Sequence, residues 1–339
     1  MNILSKIKNI GKNDRFSTGL DIGTQSIKCV KLKFNGSVVE LVGFDLQESQ
    51  LDPGEVLKKI KHAQGADLVN ISFSGASTVI RYVNFLRMNK LELKGALKFE
   101  AQKHIPFSVE EVNLDAEILR DDLPENKMLV LIAALKKEII PPRIKLLENA
   151  GLRPNIIDID SLALVNAFNF NYSKNEIPEG KSVCLLNIGA SITNVNILDN
   201  TLVRLSRDIH SGGANFTKKL MDVFEIDFKA AEELKINPTQ DKTDKIKAAV
   251  ESVLTNLASE VRTSFDYYES QNTANVVKIF LSGGGSKITG LKEMLTTCLG
   301  LPVDSWDPFK QIKLVEHIDA QALNKFSSQF NVAVGLALR

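Results

Sequence analysis

Two short segments of the chain repeat one pattern, and this repeat limits what the 339 residues can fold into. The segments read "LDIGTQSIKCVKL" from Leu20 and "LNIGASITNVNIL" from Leu186. In each, an apolar strand ends in Asp or Asn, Ile and Gly follow, and small polar residues lead directly into another strand. A repeat on this scale predicts a duplicated fold, with one copy in each half and a cleft between the halves.

The residues of both turns suit a ligand that carries phosphate groups. Glycine lets the backbone approach a ligand without a Cβ atom in the way, and the N–H groups of a tight turn can point at an anion. Hydroxyl donors and a cation add to these groups: Thr24, Ser26, Lys28, Ser191 and Thr193. A plain hairpin explains either turn alone, whereas their recurrence favours a phosphate site built from both halves.

Two further features extend this interpretation. Asp21 lies at the end of a strand, where a carboxylate suits Mg²⁺ held through water, because magnesium prefers hard oxygen ligands and keeps its hydration shell. The segment "LSGGGSKI", residues 281–288, places three glycines between a predicted strand and a predicted helix. Such a loop permits the close approach of a flat ring and a sugar.

Length and composition exclude several classes of protein. The chain exceeds what one core normally holds, so two or more domains are expected. Basic and acidic residues number 42 and 41, so no net field favours nucleic acid as a partner. Three scattered cysteines form no metal-binding pattern and favour a reducing cytoplasm. No apolar run approaches the ~20 residues of a membrane span, and residues 1–16 are predicted to form an N-terminal tail.

The order of three motifs resembles that of a known superfamily. Asp21–Thr24, Asn187–Gly189 and Ser282–Gly285 are similar to the phosphate-1, phosphate-2 and adenosine motifs of the actin, Hsp70 and sugar-kinase ATPases. Within this superfamily, the chain most resembles the PilM family of actin-like proteins of type IV pilus assembly. The resemblance extends from Ser17 to Arg339 and includes "AQKHIPFSVEEVNLDAEIL", "SRDIHSGGANFTKKL" and "GLPVDSWDPF".

This resemblance implies an α/β protein with the actin-like ATPase fold, in which duplicated ribonuclease-H-like halves enclose a nucleotide cleft. It also implies an inserted FtsA-type α+β subdomain, named 1C. The expected boundaries are 17–80 and 159–180 for subdomain 1A, 81–158 for 1C, 181–209 and 276–339 for 2A, and 210–275 for 2B.

ATP or ADP with Mg²⁺ is the ligand that the resemblance implies, with Asp21 facing the metal. In "AAEELK", Glu232 and Lys235 correspond to residues beside the adenine and ribose of actin-like relatives, although a Glu–Lys pair at this spacing is commonly a solvated helix pair. The predicted nucleotide-binding residues are Asp21, Gly23, Thr24, Gln25, Ser26, Lys28, Asn187, Gly189, Ala190, Ser191, Thr193, Gly212, Gly213, Glu232, Lys235, Gly283, Gly284, Gly285 and Ser286.

PilM-like proteins bind the cytoplasmic N-terminal peptide of the inner-membrane protein PilN between subdomains 1A and 1C. The resemblance therefore implies a PilN-like partner, with Ile105, Pro106 and Phe107 in the groove, and recruitment from the cytoplasm to the inner face of the membrane. Other pilus assembly-platform proteins, assembly ATPases and self-association are further expected contacts. A type II secretion system is an alternative setting.

One residue departs from the superfamily pattern. The phosphate-2 motif commonly carries Asp, but this chain has Asn187, which offers a carbonyl oxygen and no charge. Weak magnesium binding and slow or absent ATP hydrolysis are therefore expected. Two alternatives stay open: a small-molecule kinase of the same superfamily and an FtsA-like filament protein. A kinase needs a carboxylate base, and Asp158, Asp160 and Asp208 fit helix caps or turns equally well.

Overall fold

Two large sheets with equivalent strand order form the framework of the structure. The computed structural model describes residues 15–48, 52–172, 176–239 and 242–339. Its strands are β1 (Arg15–Ile22), β2 (Ser26–Asn35), β3 (Val38–Glu48), β4 (Leu68–Phe73), β5 (Thr78–Leu86), β6 (Val112–Leu123), β7 (Lys127–Lys136), β8 (Arg153–Ile159), β9 (Ser182–Ile188), β10 (Thr193–Asp199), β11 (Leu202–Ile209), β12 (Val276–Ser282), β13 (Val303–Ser305) and β14 (Lys313–Leu314). Its α-helices are α1 (Pro53–Gln64), α2 (Lys90–Ala101), α3 (Ile140–Asn149), α4 (Asp160–Asn171), α5 (Gly213–Phe224), α6 (Phe228–Ile236), α7 (Thr243–Gln271), α8 (Leu291–Leu299), α9 (Ala320–Phe326) and α10 (Asn331–Ala337).

Only the last two residues of the predicted N-terminal tail lie within the described residues. Residues 1–14 lie outside the described residues. Arg15 and Phe16, which the sequence placed in the tail, are the first residues of β1 and pair with Phe34 and Lys33 of β2. The strand therefore begins two residues before the predicted boundary at Ser17.

The two large sheets are built in the same way. The first has the strand order β14-β3-β2-β1-β4-β8, and the second has the order β11-β10-β9-β12-β13. In each half, three antiparallel strands are joined by short turns, and two later strands add in parallel: β4 and β8 beside β1, β12 and β13 beside β9. Strand β1 therefore corresponds to β9, and β2 to β10. This confirms the predicted duplicated α/β architecture of the actin-like fold.

A third sheet, with the order β5-β7-β6, is inserted after β4. Leu93 and Leu97 of α2 pack with Met128 and Val130 of β7, so this α+β module has a core of its own. The sequence placed its end at 158, but β8 pairs with β4, and Leu147 of α3 packs beneath the first sheet. Both elements thus belong to the first half. The boundary was missed because strands and helices alternate on both sides of it.

The C-terminal helix α10 lies between α4 and β1, although the sequence placed residues 276–339 in the second half. Strand β14 likewise pairs with β3 of the first sheet. The packing leaves no room for a side chain at two glycines. A Cβ atom at Gly335 would lie 1.7 Å from the carbonyl oxygen of Ala163, and one at Gly19 would lie 2.1 Å from that of Ala333. The backbone of α10 therefore packs directly against both α4 and β1.

Aromatic side chains join α4 to the second half. The rings of Phe168 and Tyr172 stack with their centroids 4.9 Å apart, and Phe168 also contacts Phe280 of β12 at 4.9 Å. Trp306, which follows β13, stands edge-on to Phe168 with 5.3 Å between centroids. Apolar residues of α4, α10, β9 and β12 form one cluster with these rings. This cluster therefore spans the two halves.

The longest helix, α7, covers one face of the second sheet. Leu257, Val261, Phe265 and Tyr268 are buried in the core there, as their helical spacing predicts. Its other positions are largely exposed and polar. Within the described ranges, no helix is long and apolar enough to cross a membrane.

Replacing Gly335 with Ala is expected to destabilise the protein by about 2 kcal/mol or more, because the added methyl group must displace the backbone of α4. Urea unfolding followed by circular dichroism measures this loss. The matched control is Gly95→Ala in α2, where a Cβ atom would meet nothing within 4 Å, so this change should stabilise by about 0.5–1 kcal/mol or have no effect. Wild-type stability of Gly335→Ala would contradict the described packing.

Candidate functional site

The two repeated turns face each other across a cavity of about 400 Å³ between the halves. Gly23 and Gly189 each donate their N–H to the carbonyl oxygen three residues later, at 3.1 and 2.9 Å, so both turns close in the same way. The hydroxyl oxygens of Thr24 and Ser191 lie 2.8 Å apart and join the turns directly. One ligand can therefore contact backbone and hydroxyl groups of both halves at once.

Most residues that the sequence assigned to the site lie in the wall of this cavity. They come from the two turns, from α5 and α6, and from the glycine loop after β12. The predicted residues in the wall are Asp21, Gly23, Thr24, Gln25, Ser26, Lys28, Asn187, Gly189, Ala190, Ser191, Gly213, Glu232, Lys235, Gly283, Gly284 and Gly285. The fold thus gathers segments that are far apart in the chain.

Three of the predicted residues lie behind the wall instead. Thr193 is fully buried, and its hydroxyl donates to a carbonyl oxygen 2.7 Å away in the loop after β11. Gly212 packs against the second turn, where a Cβ atom would lie 2.6 Å from the Gly189 oxygen. Ser286 donates its hydroxyl to the Gly283 oxygen at 2.6 Å. These residues support the wall and do not contact the cavity.

An ion pair lies beneath the first turn. The carboxylate of Asp21 is 3.1 Å from Lys28 Nζ, directly opposite it on β2. Arg143 of α3 adds a second cation to the wall and donates to the Ile22 oxygen at 3.4 Å. Burial lowers the pKa of its guanidinium, although Asp160 and Asp21 oppose that shift. The sequence missed Arg143 because only the tertiary fold brings α3 to the cavity.

Asp160, the first residue of α4, is a second carboxylate in the wall. Burial and the nearby charge of Asp21 raise its pKa to about 6, against hydrogen bonds from Ser72 and Ser74. From the sequence, Asp160 could be either a catalytic base or a helix-cap or turn residue. One signal pointed to it: it directly follows a parallel strand, at the sheet edge where α/β proteins commonly bind ligands.

Asn187 occupies the position in the second half that Asp21 occupies in the first. Asp21 lies opposite Lys28 in the β1–β2 register, and Asn187 lies opposite Asn194 in the β9–β10 register. Asn187 Nδ2 donates to Asn194 Oδ1 at 2.8 Å, and the Ser282 hydroxyl donates to Asn187 Oδ1 at 3.2 Å. A neutral amide pair thus stands where the first half has an ion pair.

The Glu–Lys pair of α6 is a buried cluster and not a solvated pair. Lys235 Nζ lies 2.5 Å from Glu232 Oε1 and 2.8 Å from Thr217 Oγ1. Only 5% of Lys235 is exposed, and burial lowers the pKa of its ammonium group while Glu232 raises it. The cluster holds a carboxylate and a cation at the cavity wall, where the hydroxyls of a sugar find both acceptor and donor.

The glycine loop after β12 forms another part of the wall. Gly283 has a φ of +88°, and a Cβ atom there would lie 2.3 Å from the carbonyl oxygen at the end of β9. Next to this loop, Lys287, Phe326 and Gln329 line the cavity, and the sequence predicted none of them. Burial and the charge of Lys325 lower the pKa of Lys287 to about 8. The Phe326 ring offers a flat surface for a planar group.

A second cavity, of about 240 Å³, opens beside the inserted module. Pro106 and Phe107, two of the three predicted groove residues, line it together with Arg81 of β5 and Asp208 of β11. Ile105 does not, because its side chain is buried in the core of the inserted module. Residues from all three sheets therefore bound this cavity.

Comparison with known proteins shows what the chain is similar to. A family model described as "Type IV pilus assembly protein PilM" matches residues 19–339. A solved PilM–PilN type IV pilus biogenesis complex superposes with a TM-score of 0.82 at 26% sequence identity, covering 95% of this chain and 98% of that chain. The ethanolamine utilization protein EutJ from Carboxydothermus hydrogenoformans superposes with a TM-score of 0.55 at 14% identity, covering 99% of this chain and 93% of that chain, and shows a shared fold alone.

The raised pKa of Asp160 makes stability depend on pH. The folded protein keeps a proton on Asp160 up to about pH 6, whereas the unfolded chain releases it near 3.8, so the free energy of unfolding falls as pH rises between these values. Asp160→Asn has no carboxyl group to titrate and therefore removes this pH-dependent loss of stability. At pH 7 the variant should be more stable than wild type by about 1–2 kcal/mol, and the difference should shrink toward pH 4.5.

Urea unfolding at several pH values measures this difference for Asp160→Asn. The matched control is Asp266→Asn, because Asp266 is exposed on α7. A stability difference between Asp160→Asn and wild type that does not change with pH would contradict a raised pKa at Asp160.

Proposed function

Because this chain belongs to the PilM family of type IV pilus assembly proteins, we propose that it is a nucleotide-binding scaffold of the pilus assembly platform. The cavity between the halves takes ATP or ADP, and the second cavity takes a peptide of a membrane partner. The observation that carries the nucleotide site is the meeting of two equivalent glycine turns, joined by the Thr24 and Ser191 hydroxyls. A polyphosphate chain fits between such turns because both offer donors to it.

The remaining walls suit the rest of a nucleotide. The Glu232–Lys235 cluster lies where a ribose can exchange hydrogen bonds, and Phe326 lies beside the open glycine loop, where a base can stack. The cavity volume of about 400 Å³ falls in the range of small-molecule sites. Each part of the ligand thus has a contact of matching chemistry.

Magnesium fits this site through hard oxygen ligands. Asp21 and Asp160 are neighbouring carboxylates in the wall, which also holds Glu232, and Mg²⁺ is commonly held by one or two carboxylates, phosphate oxygens and water. In the described part of the chain, no group of three His, Cys, Asp or Glu residues is placed to hold a metal by itself. The nucleotide phosphates would therefore supply the remaining ligands, and the ion would neutralise their charge.

Slow or absent hydrolysis follows from Asn187. Its amide carries no charge, and both ends of it already bond to protein groups, Asn194 and Ser282. An amide cannot take a proton from an attacking water. We expect bound ATP to remain unhydrolysed for long periods.

Lys28→Met is expected to weaken ATP binding about tenfold or more, because it removes the cation beneath the first turn. Isothermal titration calorimetry with Mg·ATP measures the change, and phosphate release from wild type should be barely above background. The matched control is Lys58→Met on the exposed face of α1, which should bind ATP as wild type does. No ATP binding by wild type, or equal binding by both variants, would contradict the site.

The partner site rests on the likeness to the PilM–PilN complex and on the second cavity. We propose that this cavity receives the cytoplasmic N-terminal peptide of a PilN-like membrane protein. Phe107 and Pro106 supply apolar contacts, and Asp208 and Arg81 supply polar groups for the backbone of an extended peptide. Through this partner the protein would act at the inner face of the membrane, together with other pilus assembly-platform proteins.

Phe107→Ala is expected to weaken binding of such a peptide about tenfold or more, since a buried aromatic contact at an interface is lost. Fluorescence anisotropy with a labelled peptide gives the affinity. Phe99→Ala serves as control, because Phe99 is 72% exposed on α2 and does not line the cavity. If Phe99→Ala lowers the affinity and Phe107→Ala does not, the peptide binds elsewhere.

The small-molecule kinase and the FtsA-like filament protein are not favoured. The family match spans nearly the whole chain and is to pilus assembly proteins. Two of the three carboxylates weighed as a kinase base are bound within the protein: Asp158 pairs with Arg339 at 2.6 Å, and Asp208 accepts two hydrogen bonds. Of these three carboxylates, only Asp160 lines the cavity between the halves.

A further inference from the structure

A chain of hydrogen bonds runs from the first cavity to the second. It begins at Ser282 and Asn187, and continues through Asn194, whose Nδ2 donates to Asp208 Oδ1 at 2.8 Å. Asp208 Oδ2 then accepts the backbone N–H of Gly75 at 2.6 Å. Asn187 and Asn194 line the first cavity, whereas Asp208 and Gly75 line the second. Asn194 and Asn187 are buried, so water competes little with these bonds.

The chemistry of the groups fixes the direction of every bond in this chain. The Gly75 N–H can only donate, and the Asp208 carboxylate can only accept, so Asn194 must turn its NH₂ group toward Asp208. The Asn194 oxygen then faces Asn187, which must present its own NH₂ group. The Asn187 oxygen is left to accept from Ser282. The negative charge of Asp208 therefore orients the amide of Asn187, two links away.

The chain ends on a loop that separates the two cavities. Ser74 lines the first cavity and Gly75 lines the second, and the loop leads directly into β5 of the inserted module. Gly75 has a φ of +88°, and a Cβ atom there would lie 3.0 Å from Ile192 of the second turn. The loop is thus held to the second half by the Asp208 bond and by packing on Ile192.

We infer that the chain Ser282–Asn187–Asn194–Asp208–Gly75 couples occupancy of the first cavity to the shape of the second. This inference rests on the proposed function, because it concerns regulation of the proposed partner site. Asn187 uses one amide hydrogen for Asn194, and its second is the group from which a phosphate oxygen can accept. A bound nucleotide favours the orientation that already exists. It therefore strengthens the whole chain and holds the Gly75 loop in place.

Amide hydrogen–deuterium exchange tests this coupling and does not require the partner peptide. Mass spectrometry of fragments covering residues 74–86 is measured for the full chain with and without Mg·ATP. Exchange in this segment should slow about fivefold or more when ATP binds. Asp208→Ala should give fast exchange in both states, because the Gly75 N–H loses its acceptor. Asp266→Asn, on exposed α7, should respond to ATP as wild type does.

Reversing the donor and acceptor direction of these hydrogen bonds is a second and stricter test. In Asn187→Asp, carboxylates stand on both sides of Asn194, whose single NH₂ group can face only one of them. Adding Asp208→Asn lets the Asn194 NH₂ group donate to the carboxylate at position 187. The Asn194 oxygen then accepts from the NH₂ group at position 208, whose own oxygen still accepts the Gly75 N–H. The second change should therefore rescue the first, raising the folded-to-unfolded ratio of Asn187→Asp about tenfold. If the two side chains contribute through packing alone, the stability losses of the single variants should add in the double variant.

The outcomes separate the coupling from the proposed function. If wild type binds no ATP, the proposed function fails and the coupling fails with it. If ATP binds but exchange at 74–86 does not change, the proposed nucleotide site stands and the coupling is overturned. Additive effects in the reversal experiment also overturn it. Slower exchange on ATP binding together with rescue supports it.

Discussion

The close contact of α10 with α4 and β1 is the constraint on which the rest of the structure depends. Two glycines, Gly19 and Gly335, leave no side chain at the points where backbone meets backbone. A Cβ atom at Gly19 would push β1 away from α10, and one at Gly335 would push α4 away from α10. Because β1 leads into the first turn and α4 begins at Asp160, the same contact positions two parts of the first half's wall of the first cavity. Packing far from the ligand groups thus determines the distances between them.

The two halves share a backbone plan but differ in charge. Asp21 faces Lys28 in the first half, and Asn187 faces Asn194 at the equivalent positions of the second. The ion pair balances itself locally, whereas the amide pair depends on Asp208 for its orientation. The second turn is connected through hydrogen bonds to the loop at Gly75, which lies between the two cavities.

Local patterns in the sequence predicted much of the fold and the site. The strand–turn–strand repeat depends on alternation and on glycine, which act over a few residues, so both turns and the glycine loop were found. Arg143 and Phe326 were missed because their positions depend on how α3 and α9 pack, which no short pattern in the sequence predicts. Lys287 was missed although it lies within the predicted glycine segment 281–288. Ile105 is buried in the core of the inserted module, whereas Pro106 and Phe107 line the second cavity, and the sequence pattern does not separate such neighbouring positions. The end of the inserted module was predicted at residue 158, too late in the chain, because the boundary depends on the pairing of β8 with β4 and not on composition.

The aromatic cluster that joins α4 to the second sheet has a practical consequence. Trp306 is the single tryptophan of the chain, and it contacts Phe168 of α4 edge-on. Phe168 lies on the same helix as Asp160, two turns further along. The emission of this one indole consequently senses the junction between the halves, and an opening of the cleft would alter its colour or intensity. The molecule carries its own optical probe of domain movement, free of any attached dye.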